Sequence, residues 1–104
     1  MSKTESLTAQ GVIDIPNAIV FGLQLTSVTS DETPPTGSLI VIIRDDASAG
    51  GSGEILARMI ISADGMQQQM TSVTFPAGVR VTKGVAVNVT ANGHDDILVI
   101  VDYA

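Results

Sequence analysis

Residues 75–104 read FPAGVRVTKGVAVNVTANGHDDILVIVDYA, and their alternation decides the fold class. Val79, Val81, Val85, Val87 and Val89 take the odd positions; Arg80, Thr82, Asn88 and Thr90 take even ones. Successive side chains of a strand point to opposite faces, so the spacing predicts a valine ridge on one face and polar groups on the other. Lys83-Gly84 interrupts the ridge and predicts a turn or bulge. Asn92-Gly93 supplies both central residues of a type I′ hairpin turn. The last strand, Ile97 to Tyr103, is apolar on both faces except at Asp102. That is the pattern of a strand central in its sheet, or one covered by a partner on its second face.

The same period of two recurs upstream. Val12 to Ile15 forms a short strand stopped by Pro16. In residues 18–28, AIVFGLQLTSV, Ile19, Phe21, Leu23 and Leu25 are expected on one face, with Gly22 marking a bulge or a close approach. Residues 38–44, SLIVIIR, predict a strand with both faces covered. Residues 54–63 read as a strand closed by an Asp64-Gly65 hairpin, after which 66–75 pairs back. A short helix over 54–63 is the alternative, because Leu, Ala, Arg and Met favour helices. Phe75-Pro76 closes that strand and Ala77-Gly78 turns into the valine ridge. Residues 29–37 (TSDETPPTG) and 47–53 (ASAGGSG) are loops, the latter of flexible composition. Seven or eight short strands with evenly spaced turn signals predict an all-β chain, an antiparallel β-sandwich of jelly-roll type.

A chain of 104 residues with formal charge −6 is one domain by length. Residues 1–10 lack apolar periodicity and are expected to be a flexible arm that either frays or orders against a neighbouring subunit. Residues 11–104 are then the single sandwich domain. The core must be aliphatic, since the aromatic residues are Phe21, Phe75 and Tyr103 alone. There is no cysteine, so no disulfide framework is expected. The N-terminus has no apolar signal segment and no run is long enough for a bilayer, so synthesis in the cytoplasm and no membrane partner are expected. The acidic balance and five scattered basic residues argue against a nucleic-acid partner.

Few residues suggest chemistry. His94-Asp95-Asp96 carries metal-ligand side chains, but neighbours on a strand point apart, and the stretch reads better as a polar hairpin tip. Asp45-Asp46 and Asp31-Glu32 lack the longer oxygen array of a calcium loop and read as solvated loop charges. Gly50-Gly51-Ser52-Gly53 lacks the second glycine spacing of a nucleophile elbow, Glu54 standing there instead. Met66-Gln67-Gln68-Gln69-Met70 fits either an ordinary polar sheet face or amide contacts across a subunit interface. No catalytic, cofactor-binding or metal residues are assigned, and an enzyme is not expected.

Three runs carry a resemblance: Phe75-Pro76-Ala77-Gly78-Val79, then Lys83 through Val89, then Leu98 through Tyr103. With the 38–46 strand and its Ser48–Gly53 loop, the chain resembles small β-sandwich proteins encoded among virion genes of tailed bacteriophages. The resemblance covers about residues 18–103 and rests on turn signatures. It implies a structural role as a capsid decoration (cement) protein, commonly a homotrimer on the capsid exterior, with the major capsid protein as partner. It carries no catalytic residues. The arm, Ser2, Lys3, Thr4, Glu5, Ser6, Leu7 and Thr8, would then be the capsid contact, and deleting it is expected to spare folding but weaken attachment. A tail or head-fibre component is the alternative within virions. From another class, a carbohydrate-binding module would need aromatic platforms that this chain scarcely has.

Overall fold

A computed structural model describes residues 3–28, 37–61, 68–92 and 96–104. Its strands are β1 (Lys3–Leu7), β2 (Gly11–Ile13), β3 (Ala18–Val28), β4 (Leu39–Asp45), β5 (Glu54–Ile61), β6 (Gln68–Val81), β7 (Val85–Asn92) and β8 (Asp96–Tyr103). They form two four-stranded antiparallel sheets, ordered β1-β8-β3-β6 and β2-β7-β4-β5. Antiparallel partners nest about the middle of the chain: β4 with β5, β3 with β6, β2 with β7, β1 with β8. The pairs β3·β8 and β4·β7 close each sheet. This nesting is the double-sheet jelly roll, an all-β antiparallel sandwich, as the alternation predicted. Residues 54–61 are strand and not helix.

The core lies between the sheets. Val20, Leu23 and Leu25 of β3 and Val99 and Val101 of β8 face Leu39, Val41 and Ile43 of β4 and Val85 and Val87 of β7. The valine ridge is real but divided. Val81 ends β6 in one sheet and Val85 opens β7 in the other, so Thr82–Gly84 carries the chain across the sandwich. Both halves of the ridge reach the core, from opposite sides. β8 and β4 are each central in their sheets, as their two-sided apolar sequences required.

Several expectations need correction. Residues 3–7 are not a flexible arm; they are edge strand β1, paired to β8 from Lys3↔Tyr103 to Leu7↔Val99. An edge strand needs apolar contact on at most one face, so a polar sequence with a single Leu suffices. β2 ends at Ile13, short of Pro16. The turn at Asn17 takes a left-handed φ of 57°, which Asn tolerates. In β3 the register shifts between Val20 and Gly22. This bulge reverses the phase, so Val20 joins Leu23 and Leu25 inside while Ile19 remains part-exposed. Phe75-Pro76-Ala77-Gly78 does not end a strand. It bows out of β6 opposite the same bulge, with Gly78 at φ 78°, and β6 resumes as far as Val81. Pro76 is tolerated because β6 is an edge strand.

Asp64-Gly65 and Asn92-Gly93 were expected to close hairpins. Yet β5 and β6 lie in different sheets, as do β7 and β8, so both connections cross the sandwich. Among the described strands, the one connection joining neighbours in a sheet is residues 46–53, between β4 and β5. Residues 29–36, 62–67 and 93–95, including Asp31-Glu32, Asp64-Gly65, Met66 and the His94-Asp95 pair, lie outside the described residues.

Candidate functional site

Two features of the described residues offer chemistry beyond core packing: a carboxylate latch at one end of the sandwich, and the two outer sheet faces.

The latch is built where β4 ends. The Asp45 carboxylate accepts hydrogen bonds from Thr82 N–H at 3.0 Å, Thr82 Oγ1–H at 3.1 Å and Lys83 N–H at 2.8 Å. The Asp46 carboxylate accepts from Gly53 N–H at 2.8 Å and Ser48 N–H at 3.0 Å. Asp46 N–H donates to the Gly84 carbonyl at 3.1 Å, and Arg44 Nη1 donates to the Gly53 carbonyl at 2.9 Å. Two adjacent carboxylates thus order the β4–β5 hairpin and the β6–β7 crossing together. Gly53 sits so close to the Asp45 carbonyl, and Gly51 so close to the Asp46 carboxylate, that neither has room for a Cβ. Asp45 and Asp46 are therefore not simply solvated loop charges, and the Ser/Gly loop is not a loose connection. Among the described residues no group of three or more His, Cys, Asp or Glu could hold a metal ion.

Burial pushes the Asp45 carboxyl up, but its bonds from Thr82 and Lys83 outweigh that and hold it below the ordinary value of 3.8. The bond from Gly53 N–H, then that from Ser48, lowers Asp46. A lowered folded pKa lends stability that is complete above the unfolded value and is lost as pH falls through the folded one. Asp45→Asn keeps the shape but points an amide N–H₂ at backbone donors. It should lower unfolding stability by about 1–2 kcal/mol at pH 7, toward the low end because the site is water-exposed. Urea unfolding at pH 7 and pH 3 checks this, since the gap from the parent must narrow as the parent's Asp45 protonates. An equal gap at the two pH values would show that the charge is not the agent.

The outer face of the β1-β8-β3-β6 sheet holds two shallow depressions. One, of about 300 Å³, is opened by Gly22 at the bulge and bordered by Gln24, Ser72, Thr74, Ile100 and Asp102. The other lies over β1 and β8, bordered by Thr4, Glu5, Ser6, Leu98 and Ile100. Ile100 is the ridge between them. Neither depression is lined by an aromatic ring, so neither offers the platform that sugar rings stack on.

The outer face of the β2-β7-β4-β5 sheet is different. Ile40, Ile42 and Arg44 point out from β4. Their neighbours on β5 are Ile60, Arg58 and Ile55, and Asn88 of β7 lies beside Ile42. Ile60 is 60% exposed and Ile55 36%. The surplus of apolar side chains in residues 38–44 and 97–101 is therefore carried on the outside of both sheets. Arg44 Nε is buried and has no hydrogen-bond partner among the described residues.

Of the seven residues expected to form a capsid-contact arm, Ser2 lies outside the described residues. Lys3 to Leu7 form β1, and Thr8 follows in the bend toward β2. Thr4, Glu5 and Ser6 come together at the second depression. Asp96 belongs to β8, but its companions His94 and Asp95 are not described. Sequence reasoning missed the latch. The available signal was Asp-Asp ahead of a Gly/Ser loop, because Asp side chains readily bond backbone N–H groups in turns. In comparisons with known proteins, the chain matches no protein family, no curated protein and no solved structure.

Proposed function

We propose that the protein is a structural virion component, a capsid decoration protein that binds the outer surface of a tailed-phage capsid as a homotrimer and stabilises it. The observation carrying this reading is the jelly roll with aliphatic side chains left on both outer sheet faces. Jelly rolls recur in viral capsid domains, although fold alone does not fix function. Apolar residues outside a core are what a binding scaffold presents to neighbours. The formal charge of −6 suits a position away from packaged nucleic acid. Resemblance of the 75–79, 83–89 and 98–103 runs to small virion β-sandwich proteins points the same way.

Such a protein acts by mass action. A ligand held at about a hundred times its dissociation constant adds about 2.7 kcal/mol to what it binds. The test is to prepare heads of the encoding phage lacking this protein and to add the purified chain back. Saturable binding to the exterior, with a raised temperature of head disruption, is expected. Failure to bind such heads overturns the decoration reading. Detection in purified tails or fibres instead would assign the protein there.

A further inference from the structure

The two lateral sides of the sandwich are built differently. β1 and β2 line one side; β5 and β6 line the other, where they touch across the sheets. An edge strand presents a free row of N–H and C=O groups, and natural sheets blunt such rows with charge, brevity, proline or bulges. β1 carries Lys3 and Glu5, β2 has 3 residues, and β6 is interrupted by Pro76 and its bow. β5 is the least protected. Its bulge at Leu56 lies near its start, and from Ala57 to Ile61 it is regular, with Arg58 as the single charge. Among the described residues no strand lies beyond it. The large apolar side chains that are exposed among the described residues, Ile55, Ile60 and Met70, all sit on β5 and β6.

We propose that β5 pairs antiparallel with β5 of a second copy about a two-fold axis, joining the two β2-β7-β4-β5 sheets edge to edge. The register follows from the side chains. Residues directly opposed in an antiparallel ladder project to the same face. Ala57, Met59 and Ile61 face the core, beside Ile43, Val41 and Leu39 of β4, while Arg58 and Ile60 face outward. A register centred on Arg58 opposes two guanidinium groups. One centred on Ala57 runs at once into the bulge, and one centred on Ile60 reaches the end of the strand at Ile61. Centred on Met59, the ladder runs from Ala57 to Ile61 on both copies. Each Arg58 then lies opposite the partner's Ile60, which its aliphatic stem covers. The area suffices for a stable pair. The long axis of 42 Å follows the strands, since β6 alone has 14 residues at about 3.3 Å each. The side lined by β5 and β6 is therefore 42 Å long and at least 17 Å deep in Cα extent. That is of the order of the roughly 800 Å² per partner of a standard interface. The second copy is the fitting occupant because the segment is complementary to itself, as an isologous contact requires. This goes beyond the proposed function: a two-fold contact is distinct from a three-fold one, and neither depends on the other or on a capsid.

The test uses the purified full chain and sedimentation velocity from 1 to 200 µM. The wild type is expected to double in mass reversibly over this range. Ile60→Lys sets a lysine against the partner's Arg58 and should weaken pairing at least about tenfold. Circular dichroism is expected to be unchanged, since positions 58 and 60 are exposed. Adding Arg58→Glu to Ile60→Lys places opposite charges at both crossings, so the double variant should pair about as tightly as the wild type. Disulfides read the register, in a chain that has no cysteine of its own. An oxidised mixture of Arg58→Cys and Ile60→Cys chains should form the mixed disulfide. Either variant alone should not, because like positions lie diagonally, about 7–8 Å apart. A wild type whose mass does not double by 200 µM overturns the proposal. So does an Ile60→Lys variant that pairs like the wild type, a double variant no tighter than Ile60→Lys, or a cysteine mixture that cross-links no more than its components. Binding to undecorated heads is a separate measurement and decides the decoration reading alone.

Discussion

Deleting residues 2–10 is expected to lower the melting temperature of the isolated protein by about 10 °C or more. The reason is β1. Its ladder to β8 runs from Lys3↔Tyr103 to Leu7↔Val99, and Leu7 packs against the core. The deletion also removes the Gln10 side-chain oxygen, which accepts from Val89 N–H at 3.0 Å and takes the place of a ladder partner beyond the short β2. Half-burying one Leu and forming several main-chain bonds, less the entropy of ordering the segment, amounts to about 2–4 kcal/mol. A second effect follows from topology. Without β1, the two-sided apolar strand β8 becomes an exposed edge, the kind of edge that templates aggregation. Differential scanning calorimetry checks the first effect and light scattering on warming the second. A truncated chain melting within about 2 °C of the parent would mean that β1 contributes nothing to the fold. The free-arm expectation would then be right after all.

The other large effect is expected at Gly53. A methyl group there collides with the Asp45 carbonyl, which is main chain and cannot rotate aside. Relief requires the hairpin to shift, and that breaks Gly53 N–H to Asp46 and Arg44 to the Gly53 carbonyl together. Gly53→Ala should cost about 2–4 kcal/mol, in the range for strain plus a broken hydrogen-bond network. Gly50→Ala is the internal control, for a Cβ at Gly50 meets nothing within 4 Å. It should change stability by no more than about 0.5 kcal/mol. Urea midpoints of the two variants against the parent decide the matter. Equal, small effects would mean that the latch yields without resistance.

The contrast between these glycines shows what alternation can and cannot convey. A period of two reports which side chains share a face, and it located β3, β4 and β8 and the inward valines of β6 and β7. It carries no information on which strand lies alongside. Val81 and Val85 have the same parity whether the chain continues along one sheet or crosses to another, and here it crosses. Asp-Gly and Asn-Gly satisfy the backbone of a tight turn equally well in a hairpin and in an arch between sheets. Asp64-Gly65 and Asn92-Gly93 therefore signalled reversals without saying where they lead. The true hairpin, residues 46–53, looked loose because its order comes from two side chains: Asp46 bonds Ser48 and Gly53 within the loop, and Asp45 ties its base to Thr82 and Lys83 far along the chain. The phase reversal at Gly22 was legible only as a glycine in a strand; its effect on Val20 needed the register of β6 opposite. The outer faces were foreshadowed by apolar runs at both parities in 38–44 and 97–101. The meeting of Arg58 with Arg44 on one of them was not, because only the pairing of β4 with β5 brings the two arginines to the same face.

The nested pairing also dictates how the chain can acquire its fold on a ribosome. The β4·β5 hairpin can form as soon as residues through Ile61 have emerged, since its partners are separated by a short loop. Every other pair joins segments progressively farther apart, ending with β1 and β8 at the two ends of the described chain. β3 must remain without a neighbour until β6 has been made, and β1 until β8 leaves the exit tunnel. At about 5–20 residues per second that wait lasts for seconds, during which Leu23, Leu25 and the other inward side chains of β3 lack their sheet. Closure therefore waits on the last strand to be made, and the loop entropy of the outer pairs is met late, the regime in which β-rich domains fold slowly.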